Sequence, residues 1–434
     1  MSANSSAKPA VLEGPWYKEV TREQWRAFSA VFLGWVVDAF DFNILAFIIL
    51  DIEKSFSVSH ALAGGLGTVT LMMRLVGGTA AGAAADKWGR KLPLMLSVVW
   101  FSLFAFLSGF STSYAMLFGL RALFGIGMGG EWAAGMPLVF EHWPTRLRGH
   151  VSGLMLGGWY WGYLLASVVF QYVYPLFQGM PDLGWRVMFW VAIVPALFTF
   201  WIRARVPESP VWLEQQRLLR ESAGRQKKTP EVSLIRIFQP DLIWTTIHTT
   251  AVISAFMCVY YSVNFWYPTF LREVLPGPNP FTLPYMAAFN IGAIVGTAAW
   301  GRISEGRLGR RGAVTITILV GMAAVPLYLR AGAPWQMALG ALLMGGFGMG
   351  IWGMAPAYSN ERFPTSVRGV GPGFCYHAAA FIGALVPLAL GALRDLQISL
   401  TSAMMVAMVI SGSLAAILIW LGPETRGRDF TASS

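Results

Sequence analysis

Five ionisable residues interrupt the apolar runs in the first half of this sequence: Asp38, Asp41, Arg74, Arg121 and Glu131. At the centre of a bilayer such a side chain costs at least about 2.5 kcal/mol, so each one needs a partner or a task. With a helix rise of about 1.5 Å per residue, Asp38 and Arg74 lie roughly 16 Å, and Glu131 roughly 14 Å, from one common end of their runs. Asp41 lies roughly 21 Å and Arg121 roughly 28 Å from that end. Asp38 and Asp41 are one helical turn apart and share a face. Acids and a guanidinium at one depth can exchange protons with an aqueous cavity and pair with an anionic ligand. The competing reading of each is a static ion pair that fixes helix packing. The second half has no carboxylate well inside an apolar run. Its candidates for ligand contact are His248, Tyr260, Asn264 and Asn290, with His377 near a run end. Both histidines also read as satisfied structural groups. Tyr260, Tyr261, Asn264, Trp266 and Tyr267 read either as an interfacial aromatic belt or as a stacking surface for a ligand.

These residues need elements that hold them in lipid. Of 434 residues, 55% are hydrophobic and only 12% are charged, against about 25% charged in a soluble domain. Twelve apolar runs cover 27–50, 60–85, 92–110, 114–140, 150–175, 185–204, 242–271, 283–301, 313–330, 335–360, 370–393 and 399–421. Each is long enough for a helix across a hydrocarbon core of about 30 Å. Continuous rather than alternating hydrophobicity excludes a β-barrel. The net charge of +10 comes from Lys and Arg in short loops, so it reads as membrane topology and not as a nucleic-acid surface. Only Lys54, Arg186, Arg272, Arg330 and Arg394 fall in the loops on the other side. The basic side also holds both termini, which places them in the cytoplasm. The expected organisation is a cytoplasmic segment 1–26, a six-helix bundle 27–204, a cytoplasmic linker 205–241 with a surface helix near Leu213–Leu219, a second bundle 242–421 and a tail 422–434. Cys258 and Cys375 sit in apolar runs without metal-type spacing. The run Gly125 to Gly130 lacks a βαβ context, so it reads as close helix packing and not as a nucleotide loop. No nucleophile–base pattern survives its context, so an enzyme is not expected.

The two halves repeat each other. Glu141-His142-Trp143-Pro144-Thr145-Arg146-Leu147-Arg148-Gly149 recurs as Glu361-Arg362-Phe363-Pro364-Thr365-Ser366-Val367-Arg368-Gly369, and the same offset aligns Trp132 with Trp352. Gly82, Asp86, Lys87, Gly89, Arg90 and Lys91 recur as Gly301, Glu305, Arg307, Gly309, Arg310 and Arg311 with one extra glycine, Gly306. A carboxylate ends one helix, a glycine permits a tight turn and basic residues open the next. Such loops are expected to latch helices of the two halves in one state and release them in another. Asp86, Gly89, Arg90, Glu141, Arg148, Glu208, Glu305, Arg310, Glu361, Arg368 and Glu424 are the candidate gating residues.

The paired loops resemble the signature loop of the major facilitator superfamily. Pro207-Glu208-Ser209-Pro210 and Pro423-Glu424-Thr425 resemble the P-E-S-P and P-E-T motifs of its sugar and organic-acid carriers. Arg121 with Gly125, Gly127 and Gly129 resembles its span-four motif, whose arginine is linked to proton transfer. Pro15-Trp16-Tyr17-Lys18, Arg22 to Ala30, Asp38-Ala39-Phe40-Asp41-Phe42, Arg74 before Gly77-Gly78, and Gly130-Glu131 resemble the sialate:proton symporter family, which includes sialic acid and lactate permeases. Ala39 stands where that family usually has glycine. The resemblance implies an all-α membrane protein of major facilitator fold, with 12 transmembrane helices in two pseudo-symmetric six-helix bundles. It also implies import of an organic acid, a monocarboxylate such as lactate or pyruvate, or sialic acid. Proton coupling is expected at Asp38, Asp41, Glu131 and Arg121, and substrate contact at Arg74 and Arg121. Asp38→Asn is then expected to abolish accumulation and spare exchange. The alternative is an exporter of drugs or organic acids by proton antiport. The expected partners are a carboxylate, protons and lipid, with no cofactor beyond the proton gradient, no metal and no nucleic acid. A monomer in a bacterial inner membrane is expected.

Overall fold

The computed structural model describes residues 18, 20–143, 148–194, 197, 206–222, 233–277, 280–330, 332–364, 367 and 370–426. Among them every regular element is helical. Ten helical stretches are long and apolar enough to cross a membrane. Helix α4 (Tyr114–His142) and the segment containing α6 (Leu183–Val191) complete twelve spans. The sixth expected run, 185–204, is described only through residue 194 and at residue 197.

Local chemistry sets the helix starts. Helix α1 (Arg22–Phe56) opens with a capping box in which Thr21 and Gln24 each satisfy the other's backbone N–H. It ends at Ser57, in the left-handed conformation at φ 52. Serine side chains cap the first turns of α2 (His60–Trp88) and α4 at Ser59 and Ser113. Helices α3 (Lys91–Ser108) and α5 (Arg148–Tyr172) complete the first half with α6. The polar link carries a surface helix, α7 (Pro210–Ser222), longer than the Leu213–Leu219 expectation.

In the second half, span seven breaks into α8 (Ile243–Asn264) and α9 (Tyr267–Val274), because Pro268 in the first turn of α9 lacks an N–H to continue the ladder. Helices α10 (Leu283–Ile303) and α11 (Gly309–Tyr328) follow. Span ten starts as α12 (Pro334–Leu343) and relaxes through a π turn and a 3-10 turn before Ala355–Asn360. Span eleven is α13 (Val370–Gly383) plus α14 (Leu385–Asp395), and α15 (Leu400–Leu421) is the last.

Glycine allows the closest crossings. A Cβ at Gly77 would sit 1.7 Å from Ile126 O, and one at Gly129 would sit 2.3 Å from Arg74 O, so α2 and α4 meet backbone to backbone. The second half repeats the device: a Cβ at Gly345 would lie 2.0 Å from Phe289 O. Leu96, Val99, Leu103, Ile410 and Ile417 stay exposed on the outer faces, as lipid contact requires.

Candidate functional site

The duplicated loops lie at one end of the bundle, here the motif end. Gly89 and Gly309 adopt φ 95 and φ 67, and a Cβ on either would strike Glu208 or Glu424 at about the same distance, 2.4 and 2.5 Å. Glu208 accepts hydrogen bonds from the Arg90 N–H at 2.8 Å and the Lys91 N–H at 3.1 Å. Glu424 accepts from Arg310 N–H at 3.0 Å and Arg311 N–H at 3.1 Å. Arg90 then reaches Glu141 at 3.3 Å, and Arg310 reaches Glu361 at 2.8 Å and also meets Glu305. Burial pushes the Glu424 carboxyl up, but the N–H groups of Arg426, Arg311, Arg310 and Thr425 outweigh it and hold the carboxyl below the usual range. In this structure these bonds tie helices within one half. The side chains of Asp86 and Arg148, and all of Arg368, lie outside the described residues.

The far end is different, because its bonds cross between halves. The Asp395 carboxylate at the end of α14 accepts from the His60 and Ala61 N–H groups that open α2, both at 2.9 Å. Arg272 donates to Asp51 of α1 at 2.8 Å, and Tyr174 donates to the same carboxylate at 2.7 Å. Gln171 accepts from Thr282 N–H at 2.9 Å.

Between the two ends lie the expected ionisable residues, all buried. Asp38 is 0% and Arg74 is 2% exposed, with Arg74 Nη2 3.6 Å from Asp38 Oδ2. The Arg74 guanidinium is caged by rings: its Cζ lies 5.2 Å from the Trp35 centroid, 5.8 Å from Trp159 and 5.7 Å from Tyr376. Trp35 and Trp159 belong to the first half and Tyr376 to the second. Tyr376 stacks on Trp132 at 4.4 Å and 7° and meets Trp352 edge-on at 6.4 Å. Glu131 is buried within electrostatic reach of Arg74. On the far side, the Trp159 N–H donates to the Tyr260 hydroxyl, Tyr260 pairs with Asn264, and Tyr163 donates to Asn264 O at 2.9 Å.

One turn further along α1, Asp41 stands in electrostatic contact with Arg121 of α4. Arg121 Cζ lies 4.1 Å from the Phe124 centroid and 5.5 Å from Phe189. Among the described residues, neither Asp41 oxygen nor any Arg121 guanidinium nitrogen has a hydrogen-bond partner. The sequence-level cluster therefore resolves into two centres. Asp38 and Arg74 face the junction of the halves, while Asp41 and Arg121 sit among first-half helices.

Other candidates fall elsewhere. Asn290 donates to Met286 O of its own helix at 2.8 Å. His248 bonds Leu418 O at 3.0 Å and meets Arg362 at the motif end, outside the Arg74 cage. Tyr260, Tyr261, Asn264, Trp266 and Tyr267 are at most 4% exposed, so they are interior groups and not lipid-interface anchors. His377 is buried, a Cβ at Gly78 would meet its Nε2 at 2.6 Å, and neither ring nitrogen has a hydrogen-bond partner among the described residues. It is not the satisfied histidine the sequence suggested.

Sequence reasoning missed Trp35, Trp159 and Tyr376 as site residues. The signal for Trp132 and Trp352 was present in their common repeat offset, but it spoke only of duplication.

The sequence matches the Major Facilitator Superfamily profile over residues 31–387. A probable 4-methylmuconolactone transporter of Cupriavidus pinatubonensis is 32% identical over 416 residues, 95% of this chain and 93% of that protein. The sialic acid transporter NanX of Escherichia coli is 28% identical over 86% of this chain and 88% of its own length. Among solved structures, the D-xylose-proton symporter superposes with a TM-score of 0.72 at 19% identity, covering 93% of this chain and 99% of that one, and so shares the fold.

Proposed function

The chain belongs to the major facilitator superfamily, a family of transporters and not of enzymes, and from that premise we propose that it carries an organic carboxylate across the membrane together with protons. The Arg74 centre carries this reading. A charge-assisted N–H to carboxylate bond spans about 2.7–2.9 Å when fully made. At 3.6 Å the Asp38 contact leaves Arg74 with donor capacity to spare. An incoming carboxylate takes those donors between rings supplied by both halves, so its arrival is felt by both. The names of the relatives, a methylmuconolactone and a sialic acid transporter, support an acid as cargo.

Proton coupling fits the second centre better than the first. Asp38 holds Arg74, so neutralising it disturbs substrate binding. Among the described residues Asp41 has no hydrogen bond to lose, and the charged groups acting on it are Arg121 and, less strongly, Asp38. A proton entering from the far side binds the Asp41 carboxylate and releases Arg121, and the reverse step frees it towards the motif end. Of the expected proton-coupling residues Asp38, Asp41, Glu131 and Arg121, this reading favours Asp41 as the carrier.

Loops at the motif end hold most of the Lys and Arg, which supports a cytoplasmic motif end and cytoplasmic termini in a bacterial inner membrane. With cross-half bonds at the far end and within-half bonds at the motif end, the molecule reads as inward-facing. It is complete as a monomer, since the two halves of one chain build the site.

Proteoliposomes with an imposed pH gradient test the reading. Uptake of a carboxylate should follow the inward proton gradient. Absence of flux for every acid tried overturns carboxylate transport, and flux indifferent to the gradient overturns proton coupling.

A further inference from the structure

We infer that the Arg74 centre selects flat, π-conjugated carboxylates over saturated acids of the same size and charge, an inference that rests on the carboxylate reading above. A carboxylate held by both arms of an arginine fork lies in the guanidinium plane. Here that guanidinium is already caged, with Trp35, Trp159 and Tyr376 all within 5.8 Å of Cζ. A group conjugated to the carboxylate stays in the same plane and continues between the same faces. A tetrahedral carbon bearing hydrogens or hydroxyls above and below that plane pushes against them.

Two further observations point the same way. Trp35 Nε1 and Trp352 Nε1 are buried N–H donors with no acceptor among the described residues. Such donors suit the oxygens of an acid. There is also room for the body of a ligand. Gly157 is buried yet has nothing within 4 Å of an added Cβ, and it lies one turn from Tyr160, whose phenol interacts electrostatically with Tyr376 and Tyr260. Gly373, one turn from Tyr376, is equally open.

Matched pairs test this on the full chain in nanodiscs: benzoate against cyclohexanecarboxylate, and trans,trans-muconate against adipate, with affinities by calorimetry and uptake in proteoliposomes. Stacking against these rings should make the conjugated member bind about tenfold more tightly, about 1.4 kcal/mol. Equal affinity within both pairs overturns the selectivity and leaves carboxylate transport standing. No binding and no uptake of any of the four overturns carboxylate transport itself, and the selectivity with it. Trp159→Leu and Tyr376→Leu should bring the ratio towards one, and an unchanged ratio in both removes these rings from the selectivity. If either variant fails to fold, the wild-type ratios decide alone.

Discussion

Asp38 and Asp41 sit on one face of one helix, yet they belong to different kinds of site. Asp38 pairs with an arginine at the seam between the halves, where rings from both halves close over it. Asp41 meets an arginine within the first half, against Phe124 and Phe189. Both pairs lie within the first half, but a ring of the second half covers Arg74, so that pair loses a neighbour when the halves part, whereas the Asp41–Arg121 pair keeps its own. The seam therefore suits cargo recognition. The interior pair suits a group whose charge is altered and then restored.

Four perturbations break or sharpen that contrast. Arg74→Ala should have the largest effect. Removing one member of a buried pair costs about 3–5 kcal/mol, so carboxylate affinity should fall by at least about a hundredfold, read by calorimetry. Arg74→Lys should recover only part of it, because an ammonium cannot offer the planar fork. Next, Asp41→Asn should bring the accumulation ratio in proteoliposomes to about one while counterflow exchange persists. Asp38→Asn should instead weaken both together, by about tenfold in KM, since it loosens Arg74. If Asp38→Asn alone separates accumulation from exchange, the assignment of the two centres is reversed.

The third perturbation concerns the far end. Arg272→Ala removes the bond to Asp51 between the halves. A contact of this kind at a partly buried site contributes about 1–2 kcal/mol, so the outward-open fraction should rise by about tenfold, read by labelling of a cysteine placed on the far-side path. The matching motif-end change, Arg90→Ala, should loosen the first half without the same shift, because its bonds stay within that half.

The smallest effect concerns pH. The Glu424 carboxyl is held below its ordinary range in the folded state. Its contribution to stability is therefore fully present above the unfolded carboxylate value and is lost as pH falls through the folded one. Glu424→Gln should flatten the acid side of a plot of Tm against pH and change little near neutrality. An unchanged acid slope would remove Glu424 from the motif-end lock.

Much of this was legible in residue order. Apart from span six, whose end lies outside the described residues, continuous apolar runs located the spans to within about six residues, because a helix in lipid must be both long and apolar. The repeat pairs Arg90 with Arg310 and Glu141 with Glu361, and these make corresponding ion pairs. The broken spans were less legible. Pro268 marks one break, but nothing in the run Met344 to Gly353 announces a π turn followed by a 3-10 turn. The aromatic residues of span seven misled in position: amphipathic rings near a run end suit an interface, but here they turn inward, Tyr260 and Tyr261 against the first half and Trp266 and Tyr267 among second-half helices.

The sequence by itself determined the helices, the duplication, the basic side and the presence of charge in the membrane, since all four follow from local composition and spacing. Tertiary structure alone decided which acid met which arginine. Two carboxylates one turn apart share a helix face and differ by only about 5 Å in depth, within reach of either long arginine side chain, so spacing does not fix their surroundings. Only the packing of α2, α4, α6 and α13 around α1 places the Tyr376 ring over Arg74 and Phe189 against Arg121, and that difference in surroundings separates a seat for cargo from a store for charge.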